Sequence, residues 1–414
     1  MKIKFKRVGL EYVFFVLYIA FILNVPNSIF QTSYDTWLPY FYVLPNIFLT
    51  WVHYVETTRV KKDICDILRY FIAPIIIVSL VAAITAHWVY HNDIATMNSL
   101  KKALDVCVAY MFGYYLVRKF KKQTIGLIII AGVLTYSTVI VRFILAGGRN
   151  PFGAANGITL EVHTLTYIFS MVFIALLLDK KIKKEIKKIL CIICFVGIVL
   201  GNKRALYLAM GIALFVYYLF HKVLQNKSRG LKVVAIISVA SAIIWVWMIH
   251  SGIFEALTVR LGVKDNSRLL MWNYFKNDYS VSINYWGKGL TYTDIIMGKI
   301  YKKLQFSHAI TIHNDILRSF IGWGFIPFCY YIFICMYSRI VYFVKQKKIE
   351  DAWRFLAVSV VYFVINFFGN TFFTPSVCIV YFVVWYDIVF KEEQLKYTGY
   401  KKKFFRKIKG RNVW

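Results

Sequence analysis

The side chain best suited to acid–base chemistry is His313, which stands in the motif His313-Asn314-Asp315. A neutral imidazole has a pKa close to physiological pH and can accept a proton from a hydroxyl group. An asparagine or aspartate at a helix start is an ordinary cap, whereas capping does not require the preceding histidine. We therefore predict that His313 opens a helix and acts as a general base, kept neutral by the helix N-terminus. A purely structural histidine at a helix end is the alternative.

Two arginines stand out by their positions in the sequence. Arg204 follows Gly201-Asn202-Lys203 and opens a predicted helix, where its charge opposes the helix dipole. Its guanidinium could hold a phosphate through two parallel hydrogen bonds, and an interfacial anchor is the alternative. Arg268 precedes Trp272 by four residues, so both side chains share a helix face. The turn motif Gly287-Lys288-Gly289 follows, and an ordinary loop helix with a surface charge is the alternative here.

Long apolar segments must position these residues. The chain has 414 residues, 59% of them hydrophobic, with a net charge of +31 and a mean hydropathy of +0.58. A soluble nucleic-acid-binding protein would also be basic, but it would not contain apolar runs of about 20 residues separated by short basic loops. We predict an all-α, polytopic membrane protein with about 12 transmembrane helices. They are placed at 8–30, 38–55, 68–91, 103–118, 124–146, 158–178, 186–201, 204–221, 231–250, 312–344, 353–369 and 374–390. The helices 186–201 and 204–221 are so close in sequence that they are expected to form a tight hairpin.

Basic residues alternate along the chain and predict its orientation. Clusters of Lys and Arg occupy the N-terminus, every second loop after it and the tail 391–414, so both termini are expected in the cytoplasm. Nine transmembrane helices then lie in 1–250, one large extracytoplasmic loop in 251–311, and three more helices in 312–390. The loop contains lysines and arginines that oppose the orientation rule. An anionic ligand explains them, and tolerance of charge in a long loop is the alternative.

In this order the motifs resemble those of the O-antigen ligase and Wzy-type polysaccharide polymerase superfamily, which are GT-C-type membrane glycosyltransferases. The resemblance implies that Arg204 and Arg268 hold the diphosphate of a polyprenyl-linked donor and that His313 activates the acceptor. The family often has Ser-Arg-Gly where this chain has Lys203-Arg204-Ala205. It uses no metal and no nucleotide sugar, so no cofactor is expected. Further candidates for acceptor binding are Asp265, Asp315, Asn314, Glu161 and His163.

The predicted function is polymerisation of undecaprenyl-diphosphate-linked repeat units into capsular, exo- or O-antigen polysaccharide at the outer face of a bacterial cytoplasmic membrane. A ligase of the same superfamily, which transfers a finished glycan to lipid A core, protein or cell wall, shares the motifs. A flippase or transporter is the alternative from another class, although its helices should carry charges near the membrane midplane, where these helices are apolar. The expected partners are the lipid-linked oligosaccharide and membrane lipids, with a flippase and a chain-length regulator as further candidates, and no nucleic acid.

Overall fold

The described part of the chain is helical throughout. The computed structural model describes residues 60–145, 163–219, 227–262, 268–304 and 311–390, and no β-strand occurs among them. The prediction of an all-α fold is confirmed for these residues. The predicted helices 8–30 and 38–55 and the basic tail lie outside them.

The helices follow the predicted apolar segments closely. Helix α1 covers 60–88 and includes a π-helical turn, Leu68–Ile72. The others are α2 (Asp93–Phe120), α3 (Thr124–Leu145), α4 (His163–Leu177), α5 (Lys184–Gly201), α6 (Arg204–Tyr218), α7 (Lys227–His250), α8 (Ile253–Arg260), α9 (Arg268–Tyr274), α10 (Tyr292–Ile300), α11 (Asp315–Trp323), α12 (Phe325–Lys345), α13 (Ile349–Ile365) and α14 (Pro375–Phe390).

Four of these helical stretches are long and apolar enough to cross a membrane: Lys62–Trp88, Asp93–Val141, Arg229–His250 and Phe325–Lys345. The second runs for 49 residues, which as one straight helix would measure about 74 Å, far more than the roughly 30 Å of a bilayer core. Its backbone breaks at Lys121, where φ is 53° and ψ is −125°. Three shorter apolar helices are α4, α6 and α14. The total of about 12 spans stays a prediction.

Three predicted boundaries are wrong. The helix predicted at 68–91 begins eight residues earlier, at Val60. The helix predicted at 103–118 begins ten residues earlier, at Asp93, because the Asn92 side chain caps it by accepting a hydrogen bond from the Ala95 N–H (3.0 Å). The first turns of this helix are polar, so a prediction based on hydropathy placed its start too late. The single helix predicted at 312–344 is two helices, since Gly324 has φ 84° and separates α11 from α12.

The expected hairpin between α5 and α6 is also wrong, although the turn between them is as short as predicted. Asn202 adopts the left-handed conformation (φ 41°) and ends α5, and α6 begins two residues later. The two helices then diverge, because α5 packs mainly against α4 while α6 packs mainly against α13.

Helices α13 and α14 form the centre of the packing. Nearly every residue of both is buried, as expected for helices that beyond the first turns of α13 are apolar on most faces. Tyr362 and Tyr381 stack between them with ring centroids 4.4 Å apart. The segment 366–374, which joins the two helices, is therefore attached at both ends to the most buried part of the described structure.

A charged side chain lies inside the α12 span, near its C-terminal end. Arg339 is fully buried, and its Nε donates a hydrogen bond to the Tyr70 carbonyl (2.9 Å) in the π-helical turn of α1. Its guanidinium lies 4.2 Å from the Phe71 ring centroid. These aromatic and carbonyl contacts stabilise the charge within the helix packing, and they join α12 to α1.

Candidate functional site

His313 lies directly before α11 in a constrained conformation. Its φ of 47° places a non-glycine residue in the left-handed region, which costs conformational energy that the surrounding contacts must supply. The side chain is half-buried. Its Nδ1 lies 3.5 Å from Nδ2 of Asn370, in the segment between α13 and α14. His313 is therefore held between two parts of the chain that are distant in sequence.

The segment 366–374 is fixed against the start of α11 by buried hydrogen bonds. The Asp315 N–H donates to the Gly369 carbonyl (3.0 Å), and the Phe372 N–H donates to the Asp315 carboxylate (2.9 Å). Within the segment, the Asn366 side-chain oxygen accepts from the Thr371 N–H (3.0 Å) and hydroxyl (2.8 Å). Because both sides of this junction are rigidly bonded, the position of Asn370 beside His313 is a fixed feature of the fold.

Trp272 connects the Arg-x-x-x-Trp motif to the same place. Its buried indole N–H donates to the Ile312 carbonyl (2.8 Å), one residue before His313. Helix α9 is thereby docked with Arg268, its first residue, close enough for the guanidinium charge to act on the imidazole. An aromatic cluster supports the docking. Trp245 of α7 contacts Trp272 and Phe254, and it also contacts Phe367 in the segment between α13 and α14.

The environment of His313 keeps its imidazole neutral. The pKa of His313 is lowered from 6.5 to about 4, first by burial and then by the positive charges of Arg268 and Lys203. The sequence argument named the helix N-terminus as the cause of the neutral state and did not foresee burial or the two cations. A base with so low a pKa is weak, and an anion placed between it and the two cations would raise that pKa.

Of the two cations in the turn between α5 and α6, Lys203 is the one that acts on His313. Lys203 is half-buried, whereas Arg204 is exposed at the first position of α6. The turn is held tightly against α4, because a Cβ on Gly201 would lie 1.9 Å from the Thr166 hydroxyl oxygen. The structure therefore brings Arg268, Lys203 and His313 together, with Arg204 next in sequence and pointing to the surface.

Asn314 and Asp315 both have structural contacts, although the buried Nδ2 of Asn314 has no hydrogen-bond partner among the described residues. The Asn314 side-chain oxygen accepts from the Leu317 N–H (3.0 Å) and caps α11. Asp315 is fully buried and binds the Phe372 N–H and, at 3.3 Å, the Arg318 guanidinium, which also pairs with Asp294. These contacts give no support to an acceptor-binding role. Asp265 and Glu161 lie outside the described residues, as does the side chain of His163, whose backbone begins α4.

Sequence reasoning missed Asn370 and gave Lys203 no role. The signal for Asn370 was present as Asn366-Phe-Phe-Gly-Asn370-Thr, because asparagine and glycine between two apolar helices indicate an ordered turn. No sequence pattern placed that turn beside His313, which stands 57 positions earlier.

An apolar cavity of about 350 Å³ lies between α6, α7 and α13. Its lining is almost wholly hydrocarbon and includes Leu208, Ser238, Ser241, Phe367 and Phe368. Phe368 precedes Asn370 by two residues, and Leu208 follows Arg204 by one helical turn. Two of its lining residues are therefore close in sequence to Asn370 and Arg204.

Comparison with known proteins provides no relative. No family model, no curated protein and no solved structure matches this chain. Within the described ranges, no three His, Cys, Asp or Glu side chains are grouped so that they could hold a metal ion.

Proposed function

We propose that this chain is a metal-independent glycosyltransferase that polymerises undecaprenyl-diphosphate-linked oligosaccharide units at the outer face of a bacterial cytoplasmic membrane. The observation that carries the proposal is the grouping of two cations, Arg268 and Lys203, around the neutral, half-buried His313. Cations suit a diphosphate and a neutral imidazole suits a sugar hydroxyl, which are the two groups that such a reaction must handle.

The chemistry needs these side chains and an activated donor. The acceptor hydroxyl oxygen attacks the anomeric carbon, the bond from that carbon to the diphosphate oxygen breaks, and the electron pair leaves with the lipid diphosphate. The hydroxyl proton passes to His313. Arg268 and Lys203 stabilise the negative charge that develops on the leaving group, and the bound diphosphate in turn offsets the two charges that lower the pKa of the imidazole.

The apolar cavity gives the lipid part of the donor a place. Its hydrocarbon lining lies alongside α6, whose first residue is Arg204. A lipid diphosphate could therefore place its chain among apolar side chains with its charged group at the cations. This combination favours a lipid-linked donor over a water-soluble one.

The proposed orientation places both termini in the cytoplasm and the segment 251–311 outside. Asn284, which is exposed, lies in that segment, and the exposed native Cys65 lies near the N-terminal end of the first described span, Lys62–Trp88. A membrane-impermeant thiol reagent should label Asn284→Cys in intact spheroplasts and should reach Cys65 only after permeabilisation. The reverse pattern would invert the topology.

The activity is tested with purified protein in vesicles that contain lipid-linked repeat units from the producing cells. The wild type should give a ladder of polymer. His313→Ala should reduce the rate by about 10²–10⁴-fold, the usual contribution of a general base, while single units accumulate. Arg268→Lys keeps the charge but loses the planar fork, and should cost on the order of 2–4 kcal/mol of transition-state stabilisation.

The matched control is His87→Ala, since His87 is an exposed histidine paired with Asp93 at the far end of α1. It should leave the ladder unchanged. Normal polymer from His313→Ala at normal membrane abundance would refute the proposed chemistry. Transfer of one finished glycan to an acceptor, without a ladder, would identify a ligase. Movement of the intact lipid-linked unit across the vesicle membrane would identify a flippase.

A further inference from the structure

Asn370 is the residue whose amide faces a ring nitrogen of His313. The separation between Asn370 Nδ2 and His313 Nδ1 is 3.5 Å, and the same amide contacts the Thr311 hydroxyl. The backbone on both sides is fixed, because the neighbouring Gly369 carbonyl and Thr371 N–H are both hydrogen-bonded within the junction at the start of α11. Asn370 can therefore hold the imidazole in one orientation.

The amide also determines which ring nitrogen carries the proton. A carboxamide has an oxygen acceptor and an NH2 donor of nearly equal shape, so a half-turn exchanges them. With NH2 towards Nδ1, the proton of the neutral ring resides on Nε2, and that nitrogen can only donate. With the oxygen towards Nδ1, the proton resides on Nδ1 and Nε2 keeps its lone pair. Only the second arrangement leaves Nε2, the nitrogen not facing Asn370, able to accept a proton.

We propose that Asn370 is a positioning residue whose side-chain oxygen accepts a hydrogen bond from Nδ1–H of His313, so that Nε2 is the basic atom. The Thr311 hydroxyl then donates to the same oxygen. The tautomer does not depend on the proposed function. Only the statement that Nε2 accepts the acceptor proton rests on it. When Nε2 takes the acceptor proton, the imidazolium keeps its Nδ1–H bond to Asn370, and no other proton needs to move.

The neutrality of the Asn370 amide suits its surroundings. A carboxylate at this position would pair with the nearby cations that the donor diphosphate requires, and it would stabilise the protonated ring. An amide orients the ring without adding charge. Asn370→Asp should therefore keep the Nδ1–H tautomer but raise the pKa of His313, whereas Asn370→Leu should release the tautomer.

The test is the nitrogen NMR spectrum of the full-length protein with ¹⁵N-labelled histidine at neutral pH, in which protonated and unprotonated ring nitrogens resonate separately. The chain has eight histidines, and the His313 signals are identified by their loss in His313→Gln. Wild type should show a protonated Nδ1 and an unprotonated Nε2. Asn370→Leu should shift the ring towards the Nε2–H form, and the control Asn284→Leu, at an exposed asparagine, should change nothing.

Activity provides the second readout. Asn370→Leu should lower kcat by about 10²-fold or more, since general-base catalysis usually contributes about 10²–10⁴-fold, with little change in KM. In Asn370→Asp, the acid limb of the pH–rate profile should move to higher pH, which a merely structural role would not cause.

The role of Asn370 and the proposed function can be refuted separately. An Nε2–H tautomer in the wild type, or a spectrum that Asn370→Leu leaves unchanged, would overturn the role of Asn370. A wild-type protein that shows the Nδ1–H tautomer but forms no glycosidic bond would instead refute the proposed function.

Discussion

Replacing Gly287 with alanine should displace the turn Gly287-Lys288-Gly289 from the end of α11, which it contacts at Gly322 and Gly324. Gly287 has φ +83°, and a Cβ built on it would lie 2.5 Å from the Gly322 carbonyl oxygen, the Gly324 nitrogen and the Trp323 carbonyl carbon. All three are backbone atoms, which cannot rotate away as the end of a side chain can. The substitution must therefore displace the segment 287–289 from the end of α11.

The cost follows from the contacts at this junction. The left-handed conformation alone costs an alanine about 1–2 kcal/mol. Displacement also breaks the hydrogen bonds from the Lys288 N–H to the Ile321 carbonyl (2.9 Å) and from the Gly289 N–H to the Gly322 carbonyl (3.0 Å). Each contributes roughly 1 kcal/mol net. The expected loss in the free energy of unfolding is therefore about 3–4 kcal/mol or more.

Alanine substitutions at two further glycines distinguish the conformational cost from the steric displacement when thermal unfolding of all variants is measured in the same detergent. Gly262 has φ +61° and Gly298 is helical, and a Cβ on either meets no atom within 4 Å. Gly262→Ala should lower the free energy of unfolding only by the cost of the left-handed conformation. Gly298→Ala should raise it by up to about 1 kcal/mol because alanine has the higher helix propensity. The expected order of melting temperatures is Gly298→Ala, wild type, Gly262→Ala, Gly287→Ala. Equal melting temperatures for Gly262→Ala and Gly287→Ala would refute the steric argument.

The remaining predictions concern the candidate site. Trp272→Phe keeps an aromatic ring but removes the donor to the buried Ile312 carbonyl, so it should cost about 1–3 kcal/mol of stability in thermal unfolding. A normal melting temperature would show that this hydrogen bond does not hold α9 in place. In the proposed reaction His313 must be unprotonated to act as the base, so kcat/KM should fall as the pH drops through its pKa of about 4. Arg268→Gln removes one of the charges that lower this pKa, so the acid limb of the kcat/KM profile should move to higher pH, and an unmoved limb would place the base elsewhere.

The sequence by itself determined the helical class and most helix positions. The helix predicted at 124–146 is Thr124–Leu145, and the one predicted at 374–390 is Pro375–Phe390. These agree because the apolar runs are bounded by residues with strong local preferences, such as the lysines before Thr124 and the proline at 375. The local motifs could also be read from the sequence, because the residue types and the spacing within each motif do not depend on the fold.

Only the tertiary structure decided which of these motifs meet. The Trp272 indole reaches a carbonyl 40 positions away, and Asn370 meets an imidazole 57 positions away. It also decided that Lys203 rather than Arg204 acts on His313, because the turn after α5 places the first half-buried and the second on the surface. Such pairings depend on how whole helices pack, and packing sums many weak contacts between distant segments. No local pattern encodes that sum, so His313, the two cations and Asn370 came together only in the folded chain.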